Sequence, residues 1–224
     1  MAKADYPGAC ALCGFKAGKA GVRRHVLGCA AHHDARMGNA GRVLQLRVEA
    51  EYGPEYWLDL EIKGRARLYD LDAFLRRIWL ECCNHLSAFE INKTQYMCEL
   101  SEPRWEDDLS MNERVEHALP TPAVKFKHRY DFGSTTCLVL RVAGEREGRI
   151  GGKPVRLLAR NDPLVWPCAI CQQPATQICS SCSYGPEPFF CDIHAAEHEC
   201  GEEMMLAVVN SPRMGVCCYI GECS

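Results

Sequence analysis

Between Cys168 and Cys200 the chain sets six cysteines and two histidines in four pairs: Cys168/Cys171, Cys179/Cys182, Cys191/His194 and His198/Cys200. No other stretch limits the fold so tightly. Phe189, Phe190 and a few aliphatic residues are the only apolar material between the pairs, too little for so short a segment to bury a core of its own. Eight soft donors in four pairs suit two tetrahedral zinc ions. The spacing predicts interleaving, with the first and third pairs on one ion and the second and fourth on the other. Such a cross-brace ties the segment together without a core. A catalytic zinc keeps an open coordination position and a nearby general base. Eight strong ligands for two ions leave no open position, so both ions are expected to be structural.

A second ligand pattern lies at the start of the chain, Cys10-x2-Cys13-x11-His25-x3-Cys29. A Cys-x2-Cys knuckle presents two thiolates at tetrahedral spacing, and His25 and Cys29 share one face of a helical turn. His32 or His33 is an alternative fourth ligand; Cys29 is preferred for its tighter helical spacing. The expected total is three zinc ions, held by Cys10, Cys13, His25 and Cys29, and by Cys168, Cys171, Cys179, Cys182, Cys191, His194, His198 and Cys200. Lys16, Lys19, Arg23 and Arg24 surround the first site. Lys19, Arg23 and Arg24 are therefore the candidate nucleic-acid contacts. A lone finger reads only about 3 bp, so a structural or protein-docking finger is the preferred reading.

All 16 cysteines stand in a 224-residue chain whose first residues contain no apolar run. No stretch reaches the roughly 18 apolar residues of a membrane-spanning helix. The expectation is a cytoplasmic protein, where thiols serve as metal ligands in preference to disulfides. The net charge of −3 is unevenly spread. Residues 1–42 carry seven Lys/Arg against two Asp/Glu, whereas residues 164–224 carry one Arg against seven acids. An acidic tail is repelled by phosphate and a basic head attracted to it, although both can equally be solvated surface. Composition divides the chain into a Cys3His finger (1–38), a central domain (39–162), a two-zinc module (163–203) and a tail (204–224).

The central zone reads as α+β: a mostly antiparallel sheet with a covering helix, flanked by the two small zinc modules. In Leu44–Ala50 and again in Leu58–Ile62, apolar and polar residues alternate, and Gly53-Pro54 lies in the connection, which predicts a hairpin. Leu68, Leu71, Leu75, Ile78 and Cys82 fall on one helical face. A strand over Ser87–Ile91 leads into a hairpin at Asn92-Lys93, and a short helix is expected between Asp108 and Leu119. Alternation returns at Val124–Tyr130 and Leu138–Val142, with a turn at Asp131–Ser134, and a last strand covers Val155–Ala159. About five or six strands would bury one core. Cys82, Cys83, Cys98 and Cys137 read as core thiols. Cys217, Cys218 and Cys223 lie in the tail, where a further metal site is an alternative, although Cys217-x5-Cys223 lacks an evident partner pair.

Several of these stretches carry a resemblance. EYWLDLEI, LYDLDAFLRRIWLECCNHLSAFEI and YDFGSTTCLVL resemble the plasmid pRiA4b ORF-3-like family, also described as passenger proteins of insertion elements. The resemblance covers residues 42–160 and is most specific at His85-Leu86…Phe89 and at Tyr130–Gly133. Some members of that family carry a leading finger, a trailing zinc module and a tail like NSPRMGVCCYIG (Asn210–Gly221). Many show an acid after the Tyr-Asp-Phe-Gly turn, where this chain has Ser134. The resemblance implies an α+β fold and a prokaryotic origin near mobile elements, and no established activity. The order of ligands in the 168–200 segment also resembles the B-box and MYND class of zinc modules, most of which bind proteins, without matching the spacing of any one member.

Three functions follow, in order of preference. The first is a zinc-binding interaction or adaptor protein, an accessory of mobile-element or defence biology, with a protein partner that the sequence does not identify. The second is a nucleic-acid-binding protein acting through the basic finger. The third is an enzyme with a site near His85 and Asp131, joined by His128 and Tyr130. Against the third, the chain has no Gly-rich phosphate loop, nucleophile elbow or paired acids at catalytic spacing. Asp131 reads as a hairpin corner and His128 as a core histidine.

Overall fold

The computed structural model describes residues 5–98, 109–120 and 124–222. Among the described residues ten strands form one sheet: β1 (Pro7–Cys10), β2 (Lys16–Gly18), β3 (Gly41–Ala50), β4 (Trp57–Lys63), β5 (Ser87–Ile91), β6 (Thr94–Met97), β7 (Leu109–Ser110), β8 (Lys125–Tyr130), β9 (Thr136–Gly148) and β10 (Val155–Asn161). Their order is β2-β1-β10-β4-β3-β9-β8-β5-β6-β7. Every pairing is antiparallel except β6 with β7. The helices of this part are α1 (Lys19–His32), α2 (Leu68–Leu75) and α3 (Val115–Ala118).

The alternation in the sequence becomes the register of the sheet. Leu44 faces Ile62, Leu46 faces Leu60 and Val48 faces Leu58, and all six are buried. Asn92 and Lys93 both have positive φ, 50° and 70°, the backbone that a two-residue type I′ hairpin requires. They join β5 to β6 with Ile91 opposite Thr94. At the next corner Asp131 takes φ 64°, and its carboxylate accepts the N–H groups of Gly133 and Ser134 at 3.0 and 3.3 Å.

The sheet has ten described strands where five or six were expected; the N-terminal segment adds two of them, and the short β7 is another. β1 pairs with β10 and β2 with β1. Helix α1 then lays Val22, Val26 and Ala30 against Trp57, Leu158 and Ala159 in a common buried cluster with Cys10. Gly8 permits this approach. A Cβ there would stand 2.3 Å from the Arg160 carbonyl and 2.5 Å from the Trp57 ring.

The expected Leu68–Cys82 helix also changes. α2 is followed by a π-helical turn over Arg76–Leu80, and Cys82 lies beyond it. Ile78, Trp79 and Leu80 are all buried, and three consecutive residues cannot share the narrow stripe of an α-helix. The short helix expected over 108–119 is described only as the single turn α3 at Val115–Ala118; Asp108 lies outside the described residues.

The chain divides into two compact units, Met1–Phe74 with Leu86–Asp162, and Leu75–His85 with Pro163–Ser224. This division differs from the four segments drawn from composition. The finger falls in the same unit as the sheet, and the tail in the same unit as the zinc-module segment. The second unit contains a small sheet in the order β12-β11-β13. Its strands are β11 (Gln177–Cys179), β12 (Phe189–Phe190) and β13 (Met205–Ala207). A one-turn helix, α4 (Asp192–Ala196), follows β12. No helix among the described residues is long and apolar enough to cross a membrane.

Candidate metal centres

Among the described residues, four groups of Cys and His side chains each bring four ligand atoms within 4.8 Å of one another. They are Cys10, Cys13, His25 and Cys29; Cys168, Cys171, Cys191 and His194; Cys179, Cys182, His198 and Cys200; and Cys82, Cys83, His85 and Cys217. None of the described cysteines forms a disulfide. Zn–S bonds of about 2.3 Å and Zn–N bonds of about 2.0–2.1 Å put tetrahedral S···S edges at roughly 3.8 Å and S···N edges at roughly 3.6 Å. A disulfide would need S–S of about 2.05 Å.

In the first group the edge from Cys10 to Cys29 is 3.9 Å. His25 turns Nε2 toward Cys13 at 3.1 Å, closer than a tetrahedral edge. The knuckle is built by the β1–β2 turn, where the Gly14 N–H donates to the Cys10 carbonyl at 2.9 Å and Gly14 takes φ 78°. Phe15 stacks on the His25 ring with centroids 4.3 Å apart. His33 Nδ1 stands 3.5 Å from Cys29 Sγ, a neighbour of the group rather than one of its four members. The Phe15 backbone N–H, with His25 behind it, lowers the Cys13 thiol to about 7. Burial and the neighbouring thiols push Cys29 up to about 12. Thiolates this close cannot all ionise unless a cation joins them.

The 168–200 segment sorts its pairs in the interleaved way. Cys171 lies 3.8 Å from Cys191, and Cys168 lies 3.5 Å from His194 Nδ1. Cys182 lies 3.5 Å from His198 Nε2 and 3.9 Å from Cys200. The knuckle at Cys168 repeats the N-terminal one. The Gln172 N–H donates to the Cys168 carbonyl at 3.0 Å, and Gln172 adopts φ 63° where the first knuckle has glycine. Burial opposes ionisation of Cys168, but the N–H groups of Cys171, Cys191 and Ile170 outweigh it and hold the thiol at about 6. β11 and β12 pair antiparallel with Gln177 opposite Phe190, which sets Cys179 and Cys191 at opposite ends of the ribbon and the second and third pairs in different groups. α4 carries His194 beyond Cys191. The buried residues described here are Cys168, Ile178, Cys179, Pro188, Phe190 and Ala195, of which only Ile178 and Phe190 are large hydrophobics.

The candidate nucleic-acid contacts are largely engaged within the first unit. Arg23 bonds Glu49 at 2.7 Å and Asp59 at 3.2 Å, with its guanidinium 5.4 Å from the Trp57 ring centroid. Lys19 pairs with Glu49 at 2.8 Å. Arg24 is exposed. Beneath α1, Glu61 is fully buried and accepts bonds from Arg146 at 2.8 Å and from Arg156 at 2.5 Å. Asp34 pairs with the same Arg146 at 2.6 Å. Burial raises the Glu61 carboxyl, but the two guanidinium groups outweigh it and the net shift is downward. Arg146 lowers Asp34 in the same way. Spacing rules carry no trace of this network.

His128 and Asp72 form a fully buried pair at 2.7 Å between β8 and α2, as a core histidine would. His85 belongs to the fourth ligand group. That group overturns the reading of Cys82 and Cys83 as core thiols, since Cys82 is half-buried and Cys83 exposed. Cys98 is buried and accepts the Ser87 N–H at 3.2 Å, in keeping with a core thiol. Cys137 is half-buried. Cys223 lies outside the described residues. Cys82-Cys83-x-His85 was a readable signal, but its partner Cys217 is 132 residues away from His85.

No family model matches this chain, and no curated protein matches it. Among solved structures it is similar to a crystal structure of a protein of unknown function from Methanosarcina mazei Go1, with a TM-score of 0.45 and 17% identity over 55% of this chain and 70% of that one.

Proposed function

We propose that this is a zinc-stapled interaction protein, an adaptor whose metals hold shape and take no part in chemistry. The observation that carries this reading is the closed character of the ligand sets. Each offers four protein donors, which fill a tetrahedral zinc and leave no place for substrate. Zinc fits better than calcium or magnesium because the donors are thiolates and imidazoles rather than oxygens. The proposed placement in the pRiA4b ORF-3-like family, with its mobile-element setting, rests on the sequence resemblance alone.

A protein partner is favoured by the surface of the second unit. Val165, Ile170, Tyr184 and Ile193 are 64–85% exposed there. Exposed apolar side chains on an acidic background suit a protein more than a phosphate backbone. The single arginine after residue 163, Arg213, is fully buried. The nucleic-acid alternative rests on the basic head, whose Lys19 and Arg23 are already paired with acids.

Two measurements test the reading. Elemental analysis of the purified chain should find zinc, and a metal-free, folded chain would refute it. Titration with duplex DNA and with RNA at low salt should show no binding. Binding that weakens with salt and is lost on replacing Arg24 with Ala would establish the alternative.

A further inference from the structure

We propose that Cys82, Cys83, His85 and Cys217 form a fourth zinc site, which fastens the C-terminal tail to the end of the π-helical turn. It goes beyond the three sites readable from the sequence and shares with them only the identity of the ion.

Two edges have the length of those in a loaded tetrahedron, and all four ligand atoms lie within 4.8 Å of one another. Cys83 Sγ lies 3.7 Å from Cys217 Sγ, and Cys217 Sγ lies 3.6 Å from His85 Nε2. The expected edges are roughly 3.8 and 3.6 Å. Cys218 also approaches Cys83, at 3.0 Å. That is too long for a disulfide, and Cys218 is not among the four residues whose ligand atoms all lie within 4.8 Å of one another. Cys218 is therefore a neighbour of the site and not one of its four ligands.

The ligands are held in place by bonds that a lone surface thiol would not need. Arg76 bonds Glu81 at 2.6 Å and Asn84 at 2.7 Å, and the Asn84 N–H donates to Glu81 at 2.6 Å. These bonds fix the loop that carries Cys82, Cys83 and His85. On the tail side, the Ser211 hydroxyl donates to the Trp79 carbonyl at 2.6 Å, and Trp79 Nε1 donates to the Asn210 carbonyl at 3.1 Å. A carbonyl at a helix end lacks an intrahelical donor, and the tail supplies one here. Cys217 holds φ 56°, a conformation that costs a residue with a Cβ and persists only where its surroundings hold it.

Charge completes the case. Three thiolates and a neutral imidazole around Zn2+ leave a net charge of −1. Arg213, fully buried, donates from its guanidinium to Cys82 Sγ at 3.4 Å. A buried cation against a ligand sulfur is the outer-shell partner that such a site calls for. The Ser-Pro-Arg run of the tail thus docks the chain, and Cys217 closes the coordination.

The test is native mass spectrometry of the full chain loaded with zinc acetate, with Cys218→Ser and Cys217→Ser/Cys218→Ser variants alongside. The parent and Cys218→Ser should carry four zincs and the double variant three. Three in both the parent and the double variant, or four in both, would overturn the fourth site and leave the zinc reading of the others intact. No zinc in the folded parent would sink both. Should the double variant fail to fold, timed alkylation of the zinc-loaded parent decides. Cys83 and Cys217 are solvent-exposed yet should react much more slowly than Cys218, by tenfold or more, until a chelator is added. Equal rates for all three would overturn the proposal.

Discussion

The N-terminal ligand group and the paired groups of residues 168–200 use the same knuckle, yet they are supported in opposite ways. Around Cys10 the chain is sewn into a ten-stranded sheet, and α1 rests on Trp57, Leu158 and Ala159. Around Cys168 and Cys179 the buried residues between the ligands are few, Ile178, Pro188, Phe190 and Ala195, with Cys168 and Cys179 themselves buried as ligands. A metal added to an existing core contributes a local restraint. A metal that replaces a core contributes the fold itself. Similar ligand patterns therefore imply different dependence on zinc, and the difference is set by what lies behind the ligands.

The largest expected effect is on the second region. Structural zinc supplies roughly 10–16 kcal/mol of apparent folding free energy in small modules, more than the whole stability of many domains. Removal of zinc by a strong chelator should unfold residues 168–200 while the main sheet keeps its cooperative melt, followed by circular dichroism. Loss of both together would erase the contrast.

Next comes the interleaving. Cys168→Ser with Cys191→Ser removes two ligands of one ion, whereas Cys168→Ser with Cys179→Ser removes one from each. Metal counts should show the first pair losing one zinc and the second pair weakening both. Identical losses for the two pairs would contradict the arrangement.

For the first region the core should outweigh the metal. Trp57→Ala removes the ring beneath α1 and should cost about 3–5 kcal/mol, by analogy with other buried aromatic truncations. Denaturant melts would detect it. A smaller loss than that from Cys13→Ser would reverse the ranking. Acid should weaken the same region through Asp34 and Glu61. Their carboxyls are lowered in the folded chain, so their contribution is present above the ordinary carboxylate range and is lost as pH falls through the folded values. Replacing Asp34 with Asn should flatten the acid limb of stability measured in zinc-free protein. The smallest effect belongs to Arg24→Ala, an exposed change expected to stay within about 0.5 kcal/mol.

Much of this was readable in the residues, because alternation and turn chemistry are local. Leu44–Ala50, Leu58–Ile62, Ser87–Ile91 and Asn92-Lys93 lie where their patterns put them, and the metal-ligand pairs fall into the interleaved groups. What escaped was non-local. The attachment of β1 to β10 joins residues 8 and 161, and no spacing rule links them. The same holds for Cys217 beside His85, and for the buried Glu61, which alternation placed on an outer face and α1 then covered. The π-helical turn at Arg76 was hidden because Ile78, Trp79 and Leu80 are buried for the sake of contacts made far along the chain, such as Trp79 with Asn210.

Hydrogen exchange read by mass spectrometry, before and after chelation of the full chain, tests the contrast between the two regions most directly. The account predicts that peptides over residues 168–200 lose essentially all protection once zinc is removed, while those over α1, β3 and β4 keep most of theirs. Retained protection across 168–200 in zinc-free protein, or collapse of α1 together with that segment, would contradict it.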